Sequence, residues 1–392
     1  MTRLRAASLF AGLGGFDLAL ERLGAEVRVQ AEIDPFAQRV LRARFPDVRL
    51  EPDATQVDLS GVELVTAGFP CQGLSIAAAT PKGRGLLDPT SPSAVVWATL
   101  QRVFAASPEY LLLENSDALT TRRYKADADA LYRTLSEAGY YHHTVVLNSG
   151  CYGSAMRRVR AFVLARRRPW DAPKVSAGLR WSCEVRAAGV ANQQGGAVWC
   201  AQPSVTKKAT TYTLMVTREG EVRSFKPEGV EVLFGLPPGW TEPAGSAAQR
   251  YQRLGNAVSV DAADAALRML LGLDAPTRPP GYAYHELREY TFPARGGTAG
   301  SALGRLARSV VRGRGNHSAL ELEYLAPLYL AWVEAHPKTV TAKMRGYIDT
   351  VRPYLPAPRP WPATAEVVMR QGRIVDRATA DETEAEGMED PV

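Results

Sequence analysis

Cysteine is scarce in this chain. Four are present in 392 residues (Cys71, Cys151, Cys183, Cys200), dispersed and without a CxxC pair, which excludes a disulfide scaffold and fits a reducing cytoplasm. Histidine is nearly as rare: the five present form no HExxH and join no Cys-rich cluster, so the residues predict no structural or catalytic metal. No stretch approaches the ~18 uninterrupted apolar residues that a membrane helix needs, so no membrane association is expected. Met1 to Leu20 imitates an export signal, with Arg3 and Arg5 ahead of an apolar stretch. Gly12, Gly14, Gly15 and Asp17 interrupt it, so it reads as structure. Internal repeats are also absent. What is there is ordinary for a folded soluble protein: 46% hydrophobic and 22% charged residues exclude wholesale disorder. At ~150 residues per domain the length predicts two or three domains. Forty-seven Lys and Arg against 41 Asp and Glu leave a net charge of +6, which favours a polyanionic partner only weakly.

The first 165 residues alternate short β-rich runs with amphipathic stretches, the pattern of an open α/β sheet. Expected strands are 5–10, 26–31, 64–67, 110–114, 144–148 and 160–165; expected helices are 15–23, 35–45 and 94–105. From Arg166 to about Glu221 the texture turns to Arg, Gly, Gln and Thr without a clear period, as in a second domain or a large insertion. A helix over 260–271 could return to the sheet. Residues 275–355 read as a basic, largely helical extension, and 353–362 as a Pro-rich linker. The segment 376–392 carries seven acids against Arg377 alone and is expected to be a disordered acidic tail. Trp97, Phe104, Trp181 and Trp199 read as packing residues rather than base-stacking platforms.

Four motifs carry chemistry. Phe10-Ala11-Gly12-Leu13-Gly14-Gly15 follows a predicted strand and opens a helix, where glycines admit a ligand close to the backbone or simply allow tight packing. Glu32 ends the next strand about 20 residues on, where an acid binds ribose hydroxyls in nucleotide-type sites. Gly68-Phe69-Pro70-Cys71-Gln72 places a cysteine at a strand's carboxyl end, as a nucleophile or as a buried thiol. Glu114 follows four apolar residues at the same edge, as a proton-sharing carboxyl or as a helix N-cap. Arg158 and Arg160 share one strand face, aimed at one pocket or forming a solvated edge.

In this order the motifs resemble the DNA cytosine-C5 methyltransferase family, over roughly Ser8 to Leu273. FAGLGG looks like its cofactor loop, Glu32-Ile33-Asp34 its ribose-binding acid and Asp53-Ala54-Thr55 the segment that meets adenine. Pro70-Cys71-Gln72 matches the nucleophile motif and Glu114-Asn115 the ENV motif. Asn148 to Arg160 is similar to the segment holding Q-x-R-x-R, Leu233 to Pro237 to LQGFP, and Leu254 to Val258 to the stretch around GNAV. Ser116 stands where Val is usual, Met156 where Gln is, and Gly229 where Glu is.

The resemblance implies a Rossmann-like S-adenosylmethionine-dependent α/β sheet, with a small recognition domain and a C-terminal helical extension. The cofactor-binding and catalytic domain would be 1–165, completed by 250–273, and the recognition domain 166–249. Implied catalytic residues are Cys71, Glu114, Arg158 and Arg160. Implied S-adenosyl-L-methionine contacts are Phe10, Ala11, Gly12, Leu13, Gly14, Gly15, Glu32, Ile33, Asp53, Ala54, Gly68, Pro70, Asn256 and Val258. Implied DNA contacts are Gln72, Ser75, Lys82, Arg84, Lys207, Lys208 and Thr213, with Ser75 to Pro92 as a loop closing over DNA. The implied partner is double-stranded DNA bound by a monomer, in a restriction-modification, orphan or phage-type setting, the first with a cognate restriction endonuclease acting on the same site. Cys71 would attack carbon 6 of a flipped cytosine to activate carbon 5. Alternatives are cytosine modification in RNA, transfer of a non-methyl group, and a DNA-binding pseudoenzyme.

The extension lies outside the resemblance. Residues 275–352 hold eleven Lys or Arg and six acids, and on a helix Arg305, Arg308 and Arg312 share a face. That face either meets phosphates or stays solvated. Each phosphate contact contributes ~0.9 to the slope of log affinity against log salt. Replacing the three arginines together by Gln should flatten that slope by roughly two to three units if all three are engaged. A salt titration of DNA binding decides, and an unchanged slope makes the module structural.

Overall fold

A computed structural model describes residues 3–74, 84–154, 158–173, 190–191, 197–200, 213–216, 222–275, 289–293, 342, 349, 367–370 and 373–376. The chain opens with β1 (Arg5–Leu9), α1 (Gly15–Arg22), β2 (Glu26–Ala31), α2 (Pro35–Arg44), β3 (Arg49–Glu51) and β4 (Leu64–Ala67). It continues through α3 (Val95–Ala106), β5 (Tyr110–Ser116), α4 (Lys125–Glu137), β6 (Tyr141–Asn148) and β7 (Val159–Arg166). Expected elements recur with ends shifted by a few residues. The sequence reading passes over α4, although Ala128, Leu131 and Leu135 mark its buried stripe. It also passes over β3, an edge strand of three residues, too short to show an alternation.

The seven strands form one mixed sheet in the order β3-β2-β1-β4-β5-β7-β6. β1 pairs in parallel with both β2 and β4, whereas β7 runs antiparallel between β5 and β6. The chain builds outward from β1 to β3, then returns to place β4 on the other side of β1. That reversal opens a crevice beyond the carboxyl ends of β1 and β4. Both strands are buried over nearly all their length, as expected of parallel strands covered on both faces. Alternation divides the residues between two cores. Leu112, Phe162 and Leu164 face the side of α1, while Leu111, Leu113 and Val163 face the side of α3 and α4, where Trp97 and Phe104 also pack.

The α1 side is completed by a later stretch: α5 (Pro227–Leu233), α6 (Ala247–Asn256) and α7 (Val260–Leu271). Phe225, Val230, Leu233, Phe234, Leu236 and Trp240 share that core, so the chain rejoins the sheet at Phe225 rather than at residue 250. Glu231 organises the return. Its fully buried carboxylate accepts from the backbone N–H groups of Gly239 (2.6 Å), Trp240 (3.1 Å) and Thr241 (2.9 Å) and pairs with Arg250 at 2.7 Å. The tethered loop then grips α2, where Arg44 Nε donates to the Trp240 carbonyl (2.9 Å) and Arg39 Nη2 to the Ala244 carbonyl (2.9 Å).

Five further short strands, β8 (Val190–Ala191), β9 (Ala197–Cys200), β10 (Thr213–Val216), β11 (Val222–Phe225) and β12 (Thr291–Pro293), make an antiparallel sheet. Residues 291–293 fall in the stretch expected to be largely helical; here they pair with β11 instead. The same contact explains Gly229. A Cβ there would lie 2.4 Å from the Phe225 ring and 2.9 Å from Tyr290, so only glycine admits the crossing. A last hairpin joins β13 (Val367–Arg370) to β14 (Arg373–Asp376), so Asp376 closes a strand rather than opening the tail. The basic face at 305–312, the linker, Trp181 and residues 377–392 lie outside the described residues. No helix among the described residues is long and apolar enough to cross a membrane.

Beneath the β1–α1 turn sits a buried polar trio. Asp17, fully buried, accepts from Ser8 Oγ (2.9 Å) and Gln30 Nε2 (2.8 Å), and burial pushes its carboxyl up to about 6. A folded-state value above the unfolded one means a contribution present in full below about pH 4 and lost as pH rises through about 6. Asp17→Asn stays neutral throughout. Its urea midpoint should exceed that of the wild type at pH 8 by the equivalent of roughly 2–3 kcal/mol, with the difference closing by pH 4. A pH-independent difference would refute the ionisation cost.

Candidate active site

Residues 10–15 run across the crevice from β1 into α1. Gly12 and Gly14 have φ of +58° and +80°. The two expectations for this loop divide between its glycines. Gly14 and Gly15 serve packing: a Cβ on Gly14 would meet the Phe45 ring at 2.5 Å, and one on Gly15 would meet Val258 at 2.7 Å. Gly12 faces open space instead: a Cβ there would have no neighbour closer than the Phe10 carbonyl at 3.9 Å. The indole of Trp240 donates to the Leu13 carbonyl (2.7 Å) and holds the loop from behind, while Ala11 and Leu13 are buried.

Glu32 faces this loop from the end of β2. Its carboxylate accepts from the N–H of Gly12 (2.8 Å) and of Asp34 (2.7 Å), and burial pushes its carboxyl up. Ile33, beside it, is 79% exposed and so open to a ligand. Asp53 folds its own turn by accepting from Thr55 N and Oγ1, both at 2.8 Å, with Ala54 buried. From α3, Arg102 donates to the Thr55 carbonyl (2.8 Å) and to Gln56 (2.9 Å). Arg102 carries no signal in the sequence; an arginine on an exposed helix face looks like any solvated one.

Cys71 sits in the turn after β4, held from two sides. Asn115, fully buried, donates to the Phe69 carbonyl (3.0 Å). Ser93 donates to the Pro70 carbonyl while accepting from Gly73 N (3.0 Å). Gln72 is exposed next to the thiol. Glu114 lies within β5, opposite Phe162 of β7, and not at a helix start. The N-cap of the following turn is Ser116, which accepts from Ala118 N, so the capping alternative for Glu114 falls. Gly68 passes directly over Glu114, where a Cβ would lie 3.5 Å from Oε2.

The arginines converge as strand alternation predicts. Arg160 Nε lies 3.2 Å from Glu114 Oε1, with both side chains almost buried. Arg158 donates to the Gly255 carbonyl (3.2 Å), and its guanidinium lies 5.0 Å from the Phe234 ring centroid, tying the Leu254–Val258 motif to the site. Asn256 ends α6, and Val258 presses on Gly15. Burial pushes the Cys71 thiol up and the Glu114 charge adds to this; Arg160 and then Arg158 oppose it. Burial likewise pushes the Glu114 carboxyl up against the pull of Arg160 and Arg158. The result is a thiol beside a carboxyl that can hold a proton, with two cations within electrostatic reach.

Among the expected DNA contacts, Arg84 donates to the carbonyl and hydroxyl of Thr90, both at 3.0 Å, and so braces its own loop. Thr213 opens β10 opposite Cys200. Ser75, Lys82, Lys207 and Lys208 lie outside the described residues.

Residues 4–178 match the family of C-5 cytosine-specific DNA methylases. That segment, which holds the sheet and the candidate site, is similar to the family over its whole length. The likeness supports a DNA cytosine-5 methyltransferase. The Type II methyltransferase M2.BsuMI of Bacillus subtilis (strain 168) is 28% identical over 289 residues, covering 66% of this chain and 72% of that protein. M.HhaI of Haemophilus parahaemolyticus is 34% identical over 170 residues, 43% of this chain and half the length of the relative. Among solved structures, the Entamoeba histolytica methyltransferase EhMeth aligns with a TM-score of 0.50 at 14% identity, over 69% of this chain and 99% of that one. That likeness concerns the fold.

The charges around Cys71 make a testable pattern. Glu114→Gln removes a neighbouring negative charge and should speed alkylation of Cys71 by iodoacetamide at pH 7.5 by roughly threefold to tenfold. Arg160→Ala should slow it by a similar factor. Equal rates in all three proteins would show that these charges do not reach the sulfur.

Proposed function

We propose that this enzyme methylates carbon 5 of cytosine within a specific double-stranded DNA sequence, through a covalent Cys71 adduct on a base flipped out of the helix, using S-adenosylmethionine. The observation that carries the reading is the convergence of Cys71, Glu114 and Arg160 at one sheet edge, beside the open backbone over Gly12. The residues fit the methyl donor. Gly12 leaves room for a ligand against its backbone. The Glu32 carboxylate has spent two acceptor sites on N–H groups and keeps others for ribose hydroxyls. S-adenosylmethionine, when bound there, supplies an electrophilic methyl group.

In this reading the protein's residues divide the work as follows from their chemistry. Carbon 5 of cytosine is a weak nucleophile until a thiolate adds to carbon 6. Cys71 makes that bond, and the electron pair displaced from the ring double bond is drawn toward N3. Glu114, with its carboxyl pushed up by burial, donates a proton at N3 and accepts from the exocyclic amine. Arg160 keeps Glu114 in place through the 3.2 Å pair and reaches the base at O2, supported by Arg158. After methyl transfer, loss of the carbon 5 proton restores the ring and releases Cys71. Flipping costs a few kcal/mol of unstacking, repaid by these pocket contacts.

We assign recognition of the DNA sequence to the region of β8 to β11, and a Type II setting, with a cognate endonuclease, from the names of the relatives. Duplex DNA carrying 5-fluorocytosine should trap the enzyme covalently in the presence of the methyl donor, because the fluorine cannot leave as a proton does. Cys71→Ser should give no adduct and no methylation while still binding the donor, since a hydroxyl cannot supply the anionic nucleophile at neutral pH. Transfer of labelled methyl to tRNA but not to DNA would move the reading to RNA. Wild-type methylation by Cys71→Ser would remove that residue from the mechanism.

A further inference from the structure

Arg253 lies in the last turn of α6, far in sequence from the donor loop, yet it closes a chain of contacts that ends on that loop. Its Nη2 and Nε reach both carboxylate oxygens of Asp34, at 2.8 and 3.3 Å. The pair is half-buried, with Arg253 12% and Asp34 35% exposed, so solvent screens it less than a surface pair. The guanidinium also lies 4.2 Å from the Phe36 ring centroid, and that of Arg39 lies 4.6 Å from the same ring. Asp34 meanwhile caps α2, its Oδ1 accepting from Phe36 N (2.8 Å) and Ala37 N (3.0 Å).

The backbone N–H of Asp34 donates to one oxygen of Glu32, whose other oxygen accepts from Gly12. Arg253 is therefore linked to Gly12 through two carboxylates. The arrangement also answers a charge problem. Asp34 and Glu32 are acids two residues apart; burial and the charge of Asp34 both push the Glu32 carboxyl up, and Arg253 draws the Asp34 carboxyl down.

We infer that Arg253 is a positioning residue for the donor pocket, which by pairing with Asp34 presets the Glu32 carboxylate against Gly12 before any ligand arrives. The inference rests on the reading of this pocket as the S-adenosylmethionine site. It also assigns work to the residue preceding the Leu254–Val258 motif, beyond the contact that Val258 makes with Gly15.

The test uses the full chain, with Arg253→Gln, Arg253→Lys, Asp34→Asn and the Gln/Asn double variant. Asparagine keeps the N-cap, so Asp34→Asn removes the charge without unravelling α2. Calorimetric titration with S-adenosylmethionine and with S-adenosylhomocysteine should show Kd raised about fivefold to tenfold by either neutral substitution. The double variant should be no weaker than the worse single one, because both remove the same link. Arg253→Lys should recover part of the loss. In the ligand-free protein, hydrogen exchange at the Gly12 and Asp34 amides should quicken in Arg253→Gln while the Trp240 amide, held by Glu231, stays unchanged. Additive losses in the double variant, or unchanged Gly12 exchange, would overturn the inference. If the wild type binds neither compound, the donor reading falls, and Gly12 exchange alone decides the coupling. If Arg253→Gln does not fold, Asp34→Asn carries the same comparison.

Discussion

Everything in the candidate site depends on the reversal of strand order between β1 and β4. Because the chain leaves β1 in one direction along the sheet and comes back on its other side, the loops after these neighbouring strands diverge and leave a crevice. Gly12 lines it from the loop after β1 and Cys71 from the loop after β4. Parallel pairing puts the carboxyl ends of β1, β4 and β5 on the same edge, and the antiparallel β7 delivers its amino end there. Thus Arg160, at the start of β7, meets Glu114, near the end of β5. A parallel β7 would have carried Arg160 to the opposite edge.

Burial at that edge is costly, and the layout shows how the cost is met. Glu114 and Cys71 are both acids whose charged forms burial disfavours, and the Glu114 charge further raises the cost of ionising Cys71. Two arginines offset this without abolishing it. The balance suits a reaction that needs one group to hold a proton as the other gives one up. It also makes the arginines interdependent with the carboxyl: removing one member of a buried pair leaves the other uncompensated.

The second organising feature is the return of the chain between Phe225 and Leu271. Glu231 gathers three consecutive N–H groups and Arg250, which freezes the 239–241 loop. That rigid loop offers carbonyls to Arg44 of α2 and an indole to Leu13, and the turn just after it offers the Ala244 carbonyl to Arg39. The loop of residues 10–15 is thereby held from below by α1, from behind by Trp240 and from the side through Glu32. Gly229 and Tyr290 show how far this extends: a Cβ at residue 229 would collide with Phe225 of β11 and with Tyr290, next to β12.

Much of this was legible in the sequence. Alternation and glycine-bounded apolar runs located β1, β2, β4 and α7, and the spacing of PCQ, EN and GNAV marked Cys71, Glu114 and the motif at Asn256 as parts of one site. Local patterns suffice there because a buried parallel strand must be continuously apolar and a nucleophile turn needs its own residue types. The residues that hold the site in place, Asn115 on Phe69, Ser93 on Pro70, Arg102 on Thr55 and Arg253 on Asp34, were decided only by tertiary structure. Each joins segments separated by between 23 and 219 positions along the chain. A hydrogen bond across such a gap leaves no periodicity and no local composition behind; it exists only once the sheet has set the two backbones side by side.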